Sequence, residues 1–191
     1  MTYVADRCRV QSIDAVRLPG GTPVHVRPTL AQDLELQREF FRSLSPQRRY
    51  FRFMTGFQEL PEGLAERFAN VDHSSHFALL AGVYHAGREI MVGEARYVID
   101  EVDPAVCEFA LAVADDWTFK GLASALLERL ERRAEACGIR RMRAETLVCN
   151  RAMIGLAMRA GYTVKSDAQD PTLARLEKLL PSSGSAAALA A

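Results

Sequence analysis

Residues 109–127, FALAVADDWTFKGLASALL, decide how this chain folds. Phe109-Ala110-Leu111-Ala112-Val113 is an apolar, β-tolerant run, and after Gly121 the apolar positions recur with the 3.6-residue period of a helix. The passage therefore reads as a buried strand, a short loop and a helix beginning near Gly121. Between strand and helix, Thr118, Phe119, Lys120, Gly121, Leu122, Ala123 and Ser124 present successive main-chain N–H groups. At a helix N-terminus such orphan donors, with the positive end of the helix dipole, favour the oxygens of a diphosphate. Gly121 and Ala123 are small enough for a ligand to approach the main chain closely. A strand, a small-residue turn and an amphipathic helix are also ordinary α/β punctuation, so the order of the flanking elements carries the decision.

Working outward, residues 15–18 and 24–27 flank Pro19-Gly20-Gly21 and read as a hairpin. Thr29 is placed to cap a helix over 30–42. Ser45-Pro46 starts a second helix, with serine as N-cap and proline at the first position, and residues 61–69 read as a third. Strands follow at 76–84, 89–99 and 106–113, with turns at Ala86-Gly87 and over 100–104. In the second of these strands, Met91, Gly93, Ala95, Tyr97 and Ile99 form the more apolar face. The helix after Gly121 stops at Gly138, and residues 139–147 return as a strand. Asn150 opens a helix ended by Gly161, Tyr162-Thr163-Val164 adds a last strand, and Leu173, Leu176, Leu179 and Leu180 predict a closing helix over 170–180. The expected division is an N-terminal extension with the first hairpin strand (1–22), one α/β domain (23–166), the C-terminal helix (167–181) and a disordered, low-complexity tail (182–191).

Composition narrows the function classes. The chain has 191 residues, 49% hydrophobic and 25% charged, which suits a single globular domain. Lys plus Arg equals Asp plus Glu at 24 each, so no global field recruits nucleic acid or an anionic membrane. The basic residues are 21 arginines against three lysines, which favours planar, bidentate contacts to carboxylate or phosphate. Cys8, Cys107, Cys137 and Cys149 form no C-x-x-C pair and are expected as reduced thiols. Asp72, His73 and His76 make at most a lone H-x-x-H, and no metal is expected. MTYVADRCRV lacks the apolar core of a signal peptide and no window is long enough to cross a bilayer, so a cytoplasmic protein is expected. A nucleoside-triphosphate site is not expected, because no G-x-x-x-x-G-K-[ST] string occurs.

The order strand, helices, three antiparallel strands, loop and helix, strand, helix, strand resembles the GNAT superfamily of N-acetyltransferases, over residues 22–165. The family's acyl-CoA signature, Gln/Arg-x-x-Gly-x-Gly/Ala, is matched by Thr118-Phe119-Lys120-Gly121-Leu122-Ala123, with Thr118 departing at the first position. A second element runs from Asn150 to Gly161-Tyr162. Three further strings, LSPQRRYFRF (44–53), CEFALAVADDW (107–117) and NRAM (150–153), resemble the acetyltransferase domain of bacterial Pat-type protein lysine acetyltransferases.

The resemblance implies a GNAT fold, with a mixed, mostly antiparallel sheet flanked by helices, and acetyl-CoA as cofactor. It also implies acetyl transfer to a primary amine in a ternary complex. A protein lysine is the expected acceptor; a small-molecule amine, or an acyl-CoA-binding regulatory module with little turnover, are the alternatives. Glu108 aligns with the catalytic glutamate of Pat-type domains and is the candidate base, its pKa raised if it is buried among apolar neighbours. The alternative for Glu108 is an interstrand pair with Arg96, and Glu94 is the rival base. Backbone N–H groups at Leu111, Ala112 and Val113 are expected to stabilise the oxyanion. Residues 118–124 are expected to hold the diphosphate, with Asn150 both capping its helix and touching the pantetheine arm. The tyrosine that many members use as acid corresponds to Ala157, and Tyr162 is a packing position, so water is left as the acid. Tyr50, Arg49, Arg52 and Phe53 are expected to wall the acceptor side, with packing favoured for Phe53. The oligomeric state, monomer or homodimer, stays open.

Overall fold

The structure, a computed structural model, describes residues 14–19, 21 and 23–181. Asp14–Arg17 (β1) and Pro23–Pro28 (β2) form the expected antiparallel hairpin. A single tight turn, Ala31–Asp33, then leads into α1, Leu34–Ser43. Thr29 does not cap it. Thr29 is buried and its amide bonds the Ala78 carbonyl, while Asp33 accepts the Leu30 amide at 2.7 Å. Pro46–Phe53 (α2) and Glu62–Ala69 (α3) complete the helical segment.

Three antiparallel strands follow, β3 (His76–His85), β4 (Arg88–Ile99) and β5 (Val106–Val113). The β3–β4 turn is two residues, Ala86 and Gly87, at φ 50° and 78°, the mirror-image turn that matches strand twist. Ala81 pairs with Gly93 and Gly82 with Met91, leaving Val92 as a β-bulge. The chain continues through α4 (Leu122–Ala136), β6 (Arg141–Leu147), α5 (Arg151–Arg159) and β7 (Thr163–Ser166).

The segment expected as a closing helix is instead a strand, β8, Leu173–Leu179, inserted between β6 and β7. Leucine spacing suits either element, and the partner edges decide. Seven residues of β8 pair along the whole of β6, from Leu173 opposite Leu147 to Leu179 opposite Arg141. A helix there would leave the edges of both β6 and β7 without hydrogen-bond partners. Ala174 and Leu176 consequently point inward, while Leu179 is 73% exposed. The sheet order is β1-β2-β3-β4-β5-β6-β8-β7. Residues 1–13 of the N-terminal extension and the tail 182–191 lie outside the described residues.

Helices α4 and α5 cover one face, where Leu126, Leu130 and Leu156 pack with Tyr97, Phe109 and Met142 in a single core. The other face carries a smaller cluster of Phe40, Leu44, Leu80 and Met91. Gly93 lets α4 lie close: a Cβ there would stand 3.1 Å from Leu126 Cδ1. Cys107 and Cys149 are free thiols, as expected, whereas Cys137 is disulfide-bonded; Cys8 lies outside the described residues. No helix among the described residues is long and apolar enough to cross a membrane.

Candidate active site

Strands β5 and β6 run parallel and pair only over Val106, Cys107 and Glu108, opposite Arg141, Met142 and Arg143. Beyond that point they part, because β6 keeps its register with β8 and β5 keeps its register with β4. A cavity of about 420 Å³ occupies the gap, walled by residues 109–113 on one side and 144–146 on the other.

The loop before α4 closes one end. Phe119 and Gly121 have φ of 59° and 87°, and the residues after each return to negative φ. Left-handed residues alternating with right-handed ones just before a helix are the kind of backbone that offers main-chain N–H groups to an anion. No side chain caps α4, so its first-turn amides have neither a cap nor a carbonyl one turn back. A cap is worth only about 1 kcal/mol, against roughly 2 kcal/mol for each fully buried leucine. The core contacts of Leu122, Leu126, Leu127 and Leu130 can therefore hold the helix while its amides stay available.

Of the residues assigned to the cofactor, Leu111, Ala112, Val113, Thr118, Phe119, Gly121, Ala123, Ser124 and Asn150 line the cavity, and Lys120 and Leu122 do not. Leu122 is fully buried in the core, and the Lys120 ammonium lies over the Trp117 ring at 5.2 Å. Asn150 does cap α5: Oδ1 accepts from the Met153 amide at 3.2 Å, and Nδ2 donates to Thr146 Oγ1 at 3.0 Å.

Glu108 is exposed, which corrects the expectation of an apolar setting. It lies opposite Val98 and Arg143, on the face away from buried Cys107 and Phe109. Arg96 does not pair with it. Arg96 Nη2 donates instead to Glu94 Oε2 at 2.7 Å, while Arg52 Nε donates to Glu94 Oε1 at 3.0 Å. Burial pushes the Glu94 carboxyl up, but Arg96 and Arg52 hold it below the ordinary carboxylate range. A carboxylate clamped by two guanidiniums is a poor proton acceptor, so the rival base is an ion-pair centre.

The α2 residues divide by role. Phe53 packs against Phe41, Phe57 and Phe68, as favoured, and Arg49 Nη1 donates to the Gln58 carbonyl at 2.6 Å, while Tyr50 stays exposed. Ser45 does not cap α2; its hydroxyl and amide both donate to Asp115, at 2.9 Å each. Asp72 accepts the amides of Ser74, Ser75 and His76, and no three His, Cys, Asp or Glu side chains among the described residues gather to hold a metal ion. Tyr162 is buried against Phe109 with its hydroxyl on Met142 Sδ and does not line the cavity; burial, and then Glu131, push its pKa up.

Among the cavity residues that the sequence did not single out are the charged Glu145, Arg48 and Arg159. Whereas Glu108 lies beside the cavity and does not line it, Glu145, on β6, is the one carboxylate among the residues lining this cavity, 3.3 Å from Arg175 Nε. Its only sequence signal is alternation in RMRAETL, which marks an outward position and no chemistry. Arg48 lines the cavity from α2, 70 residues from its partner Thr118 in the chain.

A splayed sheet with an uncapped helix start at the splay is the arrangement that the resemblance to N-acetyltransferases leads one to expect. The chain belongs to the acetyltransferase (GNAT) family, whose pattern it matches over residues 35–162. It is 32% identical over 155 residues to an acetyltransferase of Pseudomonas aeruginosa, covering 81% of this chain and 83% of that one. It is 27% identical over 146 residues to acetyltransferase Pat of Mycolicibacterium smegmatis, spanning 76% of this chain but 43% of that protein. Among solved structures it superposes on the GNAT domain of S. lividans PAT with a TM-score of 0.80 and 31% identity, over 88% of this chain and 97% of that one. The protein is an acetyltransferase, and the family's cofactor is acetyl-CoA.

Proposed function

We propose that the acceptor is the side-chain amine of a protein lysine, with Glu108 as the base. The observation that carries this reading is the pairing of a donor cavity in the sheet with an exposed carboxylate beside it. Glu108 shares a strand face with Ala110, which lines the cavity, about 6.6 Å further along the strand. A second cavity, under α1 and α3, has only about 10 Å³ and admits no acceptor. Glu108 is open to solvent, so a lysine on another protein's surface can reach it without entering a closed pocket.

Acetyl-CoA, when bound, supplies the acyl group as an activated thioester. A lysine ammonium, with a pKa near 10.4, must lose its proton before it can attack. Glu108 accepts that proton through a water molecule, and its exposed position keeps such water available. The N–H groups of Leu111 and Val113, which alternate away from β4 and are unpartnered by β6 beyond the splay, are available to the negative charge that develops on the carbonyl oxygen, whereas Ala112 turns its N–H toward β4 opposite Glu94. Ala157 is buried and carries no proton to give, so water protonates the departing thiolate.

The test measures acetyl transfer and CoA binding together. Incubation with acetyl-CoA and a protein panel should give lysine-acetylated products by mass spectrometry. Glu108→Gln should lower transfer by about 10²- to 10⁴-fold, the usual worth of a general base, with CoA affinity retained. Full activity in Glu108→Gln combined with loss in Glu145→Gln would transfer the role to Glu145. Binding with no transfer to any protein or small amine would leave a regulatory module.

A further inference from the structure

The family signature begins with Gln or Arg, and this chain has Thr118 there. Arg48 Nη2 donates to the Thr118 hydroxyl at 2.6 Å, and Arg48 Nε donates to Asp115 Oδ1 at 2.9 Å. These two bonds use one edge of the guanidinium. Nη1 has no partner among the described residues, and Arg48 is part of the cavity wall.

Three arginines line that cavity, and their circumstances differ. Arg52 is committed to Glu94, and Arg159 sits at the end of α5, on the opposite wall. Only Arg48 is hydrogen-bonded to the loop whose amides are free. Asp115 fixes it there: the same carboxylate takes the Ser45 amide and hydroxyl, tying the start of α2 to the turn after β5. Although burial pushes the Asp115 carboxyl up, the Ser45 groups and Arg48 hold it below the usual carboxylate range, so it stays charged and grips the guanidinium.

We infer that Arg48 supplies the positive charge for the diphosphate end of the acyl-CoA, from α2, in place of a basic or amide side chain at position 118. A guanidinium already oriented by two hydrogen bonds loses little entropy on binding phosphate, and its remaining N–H groups match phosphate oxygens. This inference rests on the acyl-CoA site described above and not on the identity of the acceptor.

The experiment is calorimetry of the full chain with CoA and with pantetheine, which lacks the phosphates, over a series of KCl concentrations. For wild type, CoA affinity should fall as salt screens the contact. Arg48→Gln, which keeps a donor for Thr118 but removes the charge, should weaken CoA about tenfold or more at low salt, as expected for a charge-assisted bond. It should also flatten the salt dependence and leave the weak pantetheine signal unchanged. Arg48→Lys should keep most of the salt slope. Unchanged CoA affinity in Arg48→Gln overturns the inference. A weaker affinity with the wild-type salt slope overturns it too, because that result belongs to a staple between α2 and the loop. Failure of wild type itself to bind CoA removes the site reading on which the inference stands, an outcome distinct from either.

Discussion

Glu94 is where most buried charge converges. Its side chain is 4% exposed and holds Arg52 and Arg96, while Arg96 Nη1 lies 3.3 Å from His76 Nε2 and its guanidinium 3.5 Å from the Phe68 ring centre. The cluster ties α2 to β4 across the helical face of the sheet. Removing the carboxylate leaves two buried guanidiniums facing each other, and breaking a buried pair from one side costs about 3–5 kcal/mol. Glu94→Gln should therefore lower the urea midpoint clearly, followed by the fluorescence of the single tryptophan, Trp117. An unchanged midpoint would mean that the cluster is dispensable for folding. Glu108, exposed on β5, should show the opposite pattern: activity lost and midpoint kept.

At the scale of elements, the loop before α4 joins fold and function. Gly121 holds φ 87°, yet a Cβ there would meet nothing closer than Pro19 Cδ at 3.7 Å. Space is available, and only the backbone conformation resists a side chain. Gly121→Ala should then cost about 1–2 kcal/mol, the penalty of a left-handed L-residue. Part of that penalty can be relieved by shifting the loop, so CoA affinity should fall as well. Calorimetry beside urea unfolding checks both, and tighter CoA binding by the alanine variant would contradict the picture of a preformed amide cradle. The match of α4 and α5 to their sequence boundaries has the same origin, since each is set by local period and by Gly or Asn at its ends, while β5 is marked by its apolar run alone. β8 is the counter-example, since LARLEKL contains both a helical leucine spacing and an alternation, and only the open edge of β6 selects between them.

For the whole molecule, acid should be destabilising before the carboxylates titrate. Burial and the neighbouring Arg96 push His76 down to about 4 from an ordinary 6.5, with Asp72 opposing them. Between those values the unfolded chain binds the proton and the native protein does not, so stability falls as pH drops from about 6.5 toward 4. Below that window Glu94 and Asp72, both held below the usual carboxylate range, add a further loss. Urea midpoints measured across this range should show the decline, and His76→Gln should flatten its upper part. A wild-type midpoint constant from pH 7 to 4.5 would contradict the burial of His76 beside Arg96.

The amino-acid order by itself determined what depends on near neighbours. The strand at 106–113, the helix start at Gly121, the Asn150 cap and the two-residue turn at Ala86-Gly87 each follow from period, from φ or from a side chain reaching its own backbone. Tertiary structure alone decided what depends on distant neighbours. Arg48 meets Thr118 across 70 residues, and Arg52 meets Glu94 across 42. The exposure of Glu108, the cavity between β5 and β6, and the strand at Leu173–Leu179 all arise from how the sheet is ordered. The physical reason is that hydrogen-bond edges and counter-charges are satisfied by whatever the fold brings alongside, and a linear pattern carries no record of which segment that is.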